Sequence, residues 1–183
     1  MSKAVLISIR PEWVDKILSG EKTLEVRKTR PKLEAPFKVY IYCTAGKLSY
    51  EVNNGMMCNI SGGKLVVGEF TCNKTTNLFS NSRFWLNEDD VLQACLSAAE
   101  IRKYADGANG LYGWHISDLK IYDQPKELNE FWLPPELYCE KERCGGCPYD
   151  QVADVNGEYS FDCEWKRPLT RPPQSWCYVE ELQ

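Results

Sequence analysis

Lys22, Glu25 and Arg27 lie close together in the run Gly20-Glu21-Lys22-Thr23-Leu24-Glu25-Val26-Arg27-Lys28. Their types suit the recognition of a phosphate or a polarised carbonyl. Arg27 offers planar, bidentate donors, and Lys22 is a compact charge whose pKa burial depresses. Glu25 can orient either cation or act as a general base on bound water. In a strand, Leu24 and Val26 point to one face and Thr23, Glu25 and Arg27 to the other. Lys22 sits at the mouth of the preceding turn, from which its stem can swing onto that polar face. Left exposed on an edge strand, the same pair would be a salt bridge of little energetic value.

A second constellation is sulfur. Cys139-x4-Cys144-Gly145-Gly146-Cys147 is followed by Cys163, with Cys177 further on. Two thiolates separated by two glycines form a knuckle that presents both sulfurs to one metal, and Cys139 and Cys163 would complete a tetrahedral site. Structural zinc is the expected occupant, folding a tail too poor in apolar surface to hold its own shape. The C-x4-C-x2-C spacing also suits plant-type iron–sulfur ligation, and Cys177 is an alternative fourth ligand. Cys43, Cys72 and Cys95 read as plain buried residues, and Cys58 is unassigned.

The 183 residues suit one well-packed domain with an appendage, and 43% hydrophobic content argues against disorder. No apolar run approaches a membrane span. The N-terminus meets Arg10-Pro11 without a small-residue cleavage site, so it reads as a first strand, with the cytoplasm as default location. Nine cysteines without a leader point to thiols or metal and away from disulfides. The net charge of −4 argues against nonspecific polyanion binding, yet residues 1–32 carry +4 and the remainder −8. A basic pole on an acidic body fits a small or local anionic target better than a long duplex.

These groups must be positioned by short elements. Residues 4–10 read as a strand buried on both faces, and Pro11 opens a helix with the stripe Trp13, Val14, Ile17 and Leu18, closed by Gly20. Strands are expected over 22–28, 38–45 and 64–72, with Gly68 at a bulge or bend. Residues 46–63 read as a long loop or hairpin insertion, and 73–86 are ambiguous. Asn87 caps a second helix running to Asp106-Gly107, its buried stripe being Val91, Leu92, Cys95, Leu96 and Ala99. Strand material follows at 111–116 and 119–122. From 129 on, prolines and cysteines replace periodicity. The pattern is that of an α+β fold, a small partly open β-barrel with two helices, divided at 1–128 and 129–183.

Ile9-Arg10-Pro11, Ile17-Leu18-x-Gly20-x-Lys22-Thr23-x-Glu25-x-Arg27, Ile41-Tyr42-Cys43-Thr44 and Val67-Gly68-Glu69-Phe70 resemble, in that order, the ASCH domain family. Tyr104-Ala105-Asp106-Gly107 and Ile121-Tyr122-x-x-Pro125-x-x-Leu128 look like its later segments. The resemblance implies a PUA-like β-barrel whose cleft handles RNA or modified nucleosides. Arg10, Lys22, Thr23, Glu25 and Arg27 would bind the ligand. Some members are amidohydrolases on N4-acylated cytidine, and at least one looks like a ribonuclease. Lys22 matches the catalytic lysine of the amidohydrolase branch, whereas Glu25 stands where that branch has its nucleophilic threonine. In an enzyme, Lys22 and Glu25 would carry catalysis. Proteins with such Cys-bearing tails look like those of phages and bacterial mobile elements. For stacking, Trp13, Tyr42, Phe84, Trp85 and Trp114 are available. His115 reads as a structural histidine and Glu69 as solvent-facing. Trp176 is expected to pack on the barrel, with Arg171 near the cleft. Residues 129–183 could also contact a protein partner.

Overall fold

The computed structural model describes residues 2–52, 55–80, 83–134 and 167–182. Strand β1 (Lys3–Ile9) leads into helix α1 (Pro11–Leu18) and the short strand β2 (Leu24–Arg27). After these come β3 (Phe37–Cys43), the pair β4 (Lys47–Glu51) and β5 (Met57–Ser61), then β6 (Leu65–Ser80) and β7 (Arg83–Phe84). Helices α2 (Glu88–Ala94) and α3 (Ala98–Ala105) precede β8 (Gly110–Lys126), and β9 (Trp176–Glu180) comes last. The main sheet runs β2-β8-β6-β3-β1-β9 with β7 paired to β6, while β4 and β5 form a separate hairpin. Only β1 and β3 run parallel among these pairs, joined through α1 and β2.

The expected small barrel is an open sheet. Its edge strands are β2 and β9, and the segment that follows β2 is tied to β9 through side chains. Trp176 Nε1 donates to Thr29 Oγ1 at 2.9 Å, and the Lys32 amide to the Tyr178 hydroxyl at 2.7 Å.

Among the described residues three α-helices replace the expected two. Cys95 takes a left-handed conformation (φ 52°, ψ 35°) and ends α2, and Ser97 starts α3 with a reciprocal capping box to Glu100. The expected stripe therefore holds only in part: Val91 and Leu96 pack half-buried on this cluster, whereas Ala99 is exposed. Leu92 is 76% exposed, and Ala94, Ile101 and Ala105 are the helical residues buried against Leu24, Val26, Leu78 and Leu111. Asn87 does cap α2, through its own reciprocal box with Asp90.

A larger core gathers Val5, Ile7, Val39, Ile41, Phe70 and Trp114 under α1 and the β4–β5 hairpin. A third cluster covers the sheet's other face, where Leu6, Tyr40, Tyr42 and Val179 pack with Phe131 and Leu169. Gly68 lies at a register shift in both of its strand pairings. The ambiguous 73–80 prolongs β6 into a sixteen-residue strand. Among the described residues no helix is long and apolar enough to cross a membrane.

Candidate functional site

Helix α1 ends where Gly20 adopts φ +79° and its amide returns to the Ile17 carbonyl at 3.0 Å. The Lys22 amide bonds the Lys16 carbonyl at 2.8 Å, so the chain doubles back before entering β2. Lys22, Glu25 and Arg27 are then only 2%, 6% and 8% exposed. This is not a surface ion pair. β2 is buried on both faces, with Leu24 and Val26 against α2 and α3.

Lys22 Nζ donates to the Leu24 carbonyl at 2.8 Å and to the Ala94 carbonyl at 2.7 Å, and lies 3.5 Å from Glu25 Oε2. Ala94 is the last residue of α2, so the ammonium satisfies a helix-end carbonyl. The Trp13 ring lies 5.4 Å from Nζ. Burial pushes the Lys22 pKa below its usual value, with Glu25 pulling it back up in part.

Arg27 Nη2 meets Glu25 Oε1 at 3.0 Å and the Ser8 carbonyl at 2.8 Å, and Nη1 meets Ser175 Oγ at 3.3 Å. Its Nε is buried and finds no acceptor among the described residues. Each oxygen of Glu25 thus faces one cation, and Nη1 has one described partner for its two N–H.

The trio lines a cleft of about 660 Å³. Trp13, Leu96, Tyr104 and the Pro172-Pro173-Gln174 stretch also line it, with Arg10 and Glu100. Arg10 is exposed, its Nη1 3.8 Å from Glu12. Burial raises the Tyr104 pKa, while Arg27 and Glu25 act on it in opposite directions.

Thr23 is exposed and outside the lining, its backbone tied to Gln93 and Ile116. Of the stacking candidates only Trp13 reaches the cleft, since Tyr42 and Trp114 are core residues and Phe84 and Trp85 lie elsewhere. His115 is held by Thr76 Oγ1 at 2.6 Å. Glu69 does not face solvent freely: it pairs with Lys38 at 3.3 Å and accepts from the Tyr122 hydroxyl. Leu96, Glu100 and Tyr104 were not legible as cleft residues from one long helix. The Ser97-x-x-Glu100 capping signature was the available signal. Arg171 is exposed and not in the lining, which its neighbours Pro172 to Gln174 supply instead.

A sequence model described as the ASCH domain matches residues 7–143, from within β1 through the cleft floor and β8. The chain belongs to the ASCH domain family. ASCH domains have a PUA-like fold associated with RNA binding. The crystal structure of ASCH from Zymomonas mobilis is similar at 20% identity and a TM-score of 0.54, covering 97% of this chain and 88% of that one. A serine-to-alanine mutant of the same protein matches at 18% identity and 0.55, covering 97% and 89%. A tyrosine-to-phenylalanine mutant matches at 19% and 0.54, covering 98% and 92%. At these identities the likeness is one of fold. No curated protein matches the chain.

The expected metal ligands of this ASCH protein, Cys139, Cys144, Cys147 and Cys163, lie outside the described residues. Cys177 is on β9 opposite Leu6, in an apolar cluster where burial raises its thiol pKa to about 12. That environment disfavours a thiolate ligand.

Proposed function

We propose that this ASCH protein binds RNA or a modified nucleoside in the cleft over Lys22, Glu25 and Arg27. The observation that carries this reading is the cleft itself, about 660 Å³ with the Arg27 guanidinium in its lining. The trio sums to a single positive charge, matched to one phosphate or one polarised carbonyl. Trp13 and Tyr104 supply aromatic faces for a base. Lys22, whose donors are spent on Leu24, Ala94 and Glu25, holds the floor together; Arg27 is the cation left to meet the ligand. Calorimetric titration with nucleosides, nucleotides and a short single-stranded RNA tests this. Arg27→Ala should weaken binding about tenfold or more, with the fold retained. Equal affinity in the variant would remove the assignment.

A hydrolase acting on N4-acylated cytidine-like nucleosides, or a ribonuclease, is the second reading. Lys22 and Glu25, 3.5 Å apart in the cleft lining, are the acid–base pair that favours it, with burial lowering the Lys22 pKa. Release of acetate from N4-acetylcytidine, or RNA cleavage, abolished by Lys22→Ala with the protein still folded, would support it. Intact substrates would sink it.

We further propose that Cys139, Cys144, Cys147 and Cys163 hold a structural zinc. In support, the described residues on either side of that segment are joined. Leu133 N donates to the Arg167 carbonyl at 3.0 Å, and Trp132 pairs with Pro168.

A further inference from the structure

One wall of the cleft lies beyond residues 7–143, the stretch matched by the ASCH family. Pro172, Pro173 and Gln174 form it. Two consecutive prolines fix φ and remove two backbone donors, so this stretch cannot hold itself by ladder bonds. It is held from β1. The Ser8 amide donates to the Ser175 carbonyl at 2.9 Å, and the Ser8 hydroxyl to the Pro173 carbonyl at 2.7 Å. The Ser8 carbonyl then accepts from Arg27 Nη2 at 2.8 Å, and Ser175 Oγ from Arg27 Nη1 at 3.3 Å. Two serines therefore clasp the wall and the guanidinium as one unit.

We infer that Pro172–Ser175 is a ligand-contacting wall and that Ser175 is a positioning residue, turning Arg27 so that the second N–H of Nη1 meets an oxygen of the bound nucleoside or nucleotide. A guanidinium is planar with its N–H directions fixed. Holding Nη1 at Ser175, and Nη2 at Ser8 and Glu25, therefore sets how the group faces the cleft it lines. The oxygen belongs either to a base carbonyl or to a phosphate. This inference rests on the proposed function of the cleft and adds what orients its cation.

The experiment compares wild type, Ser175→Ala, Ser175→Thr and Arg27→Ala in the full chain. The backbone pairing of β9 with β1 does not use the Ser175 hydroxyl, so the fold should survive its loss, as circular dichroism will show. Without ligand, the Arg27 Nε–H resonance in a nitrogen–proton correlation spectrum should be distinct in wild type and Ser175→Thr. It should shift or broaden in Ser175→Ala. Calorimetry with cytidine, uridine, adenosine, guanosine and their 5′-monophosphates reads the ligand. Ser175→Ala should weaken binding about fivefold to tenfold, and Ser175→Thr should restore it to within about twofold. Binding of nucleosides and monophosphates alike assigns the oxygen to the base; binding of monophosphates alone assigns it to the phosphate. If Arg27→Ala weakens binding while Ser175→Ala changes neither resonance nor affinity, this inference falls and the cleft reading stands. If wild type binds none of these, nor N4-acetylcytidine nor a short single-stranded RNA, the cleft reading falls and takes the ligand named here with it.

Discussion

A buried lysine is kept by what its protons find. Lys22 closes the C-terminal end of α2 through Ala94 and bonds the carbonyl of its neighbour Leu24. Replacing it with methionine preserves much of the volume but orphans two carbonyls and takes one cation from Glu25. Lys22→Met should therefore cost about 2–4 kcal/mol in urea denaturation. The pH dependence carries its own signature. Burial holds the folded-state pKa of Lys22 below the ordinary 10.5, so in the interval beneath 10.5 the unfolded chain binds this proton better than the folded one. Stability from this group is thus lowest at neutral pH and rises as pH climbs through that interval. The gap between wild type and Lys22→Met should widen towards alkaline pH. A gap independent of pH would mean that Lys22 is not desolvated as described.

At the scale of elements, bends matter as much as lengths. A methyl group added at Gly68 would lie 2.6 Å from the Lys120 carbonyl, where β6 and β8 slip register. Gly68→Ala should destabilise by about 1–3 kcal/mol, read as a fall in Tm with the far-ultraviolet spectrum retained. An unchanged Tm would show that the bulge relaxes freely. This bend was legible because a glycine inside an apolar strand has few other reasons to be there. The break between α2 and α3 was not read. Cys95 is neither glycine nor asparagine, yet it occupies the left-handed position that those residues usually mark. Its Sγ contacts the Glu21 carbonyl at 3.3 Å, a tertiary contact invisible to periodicity. The break brings Leu96, Glu100 and Tyr104 to the cleft.

Across the whole molecule, the cleft is closed by residues at opposite ends of the chain, since Arg27 reaches Ser175 across 148 positions. The cysteine-bearing segment lies between Leu133 and Arg167, which are themselves hydrogen-bonded. Elemental analysis of the purified chain should find about one zinc per chain, lost in Cys144→Ser and removable by a strong chelator with a drop in Tm. Visible charge-transfer absorption with iron present would replace zinc by an iron–sulfur centre. The sequence by itself determined that Lys22, Glu25 and Arg27 belong to one turn and strand, because glycine stops and alternating side chains act over a few residues. It also carried the segments that resemble the ASCH family, in the family's order along the chain. Only the tertiary structure decided that both faces of β2 are covered, that Lys22 is spent on α2, and that prolines and a serine from the far end complete the wall. Burial and hydrogen-bond saturation depend on partners remote in sequence, and no local pattern encodes which remote partner arrives.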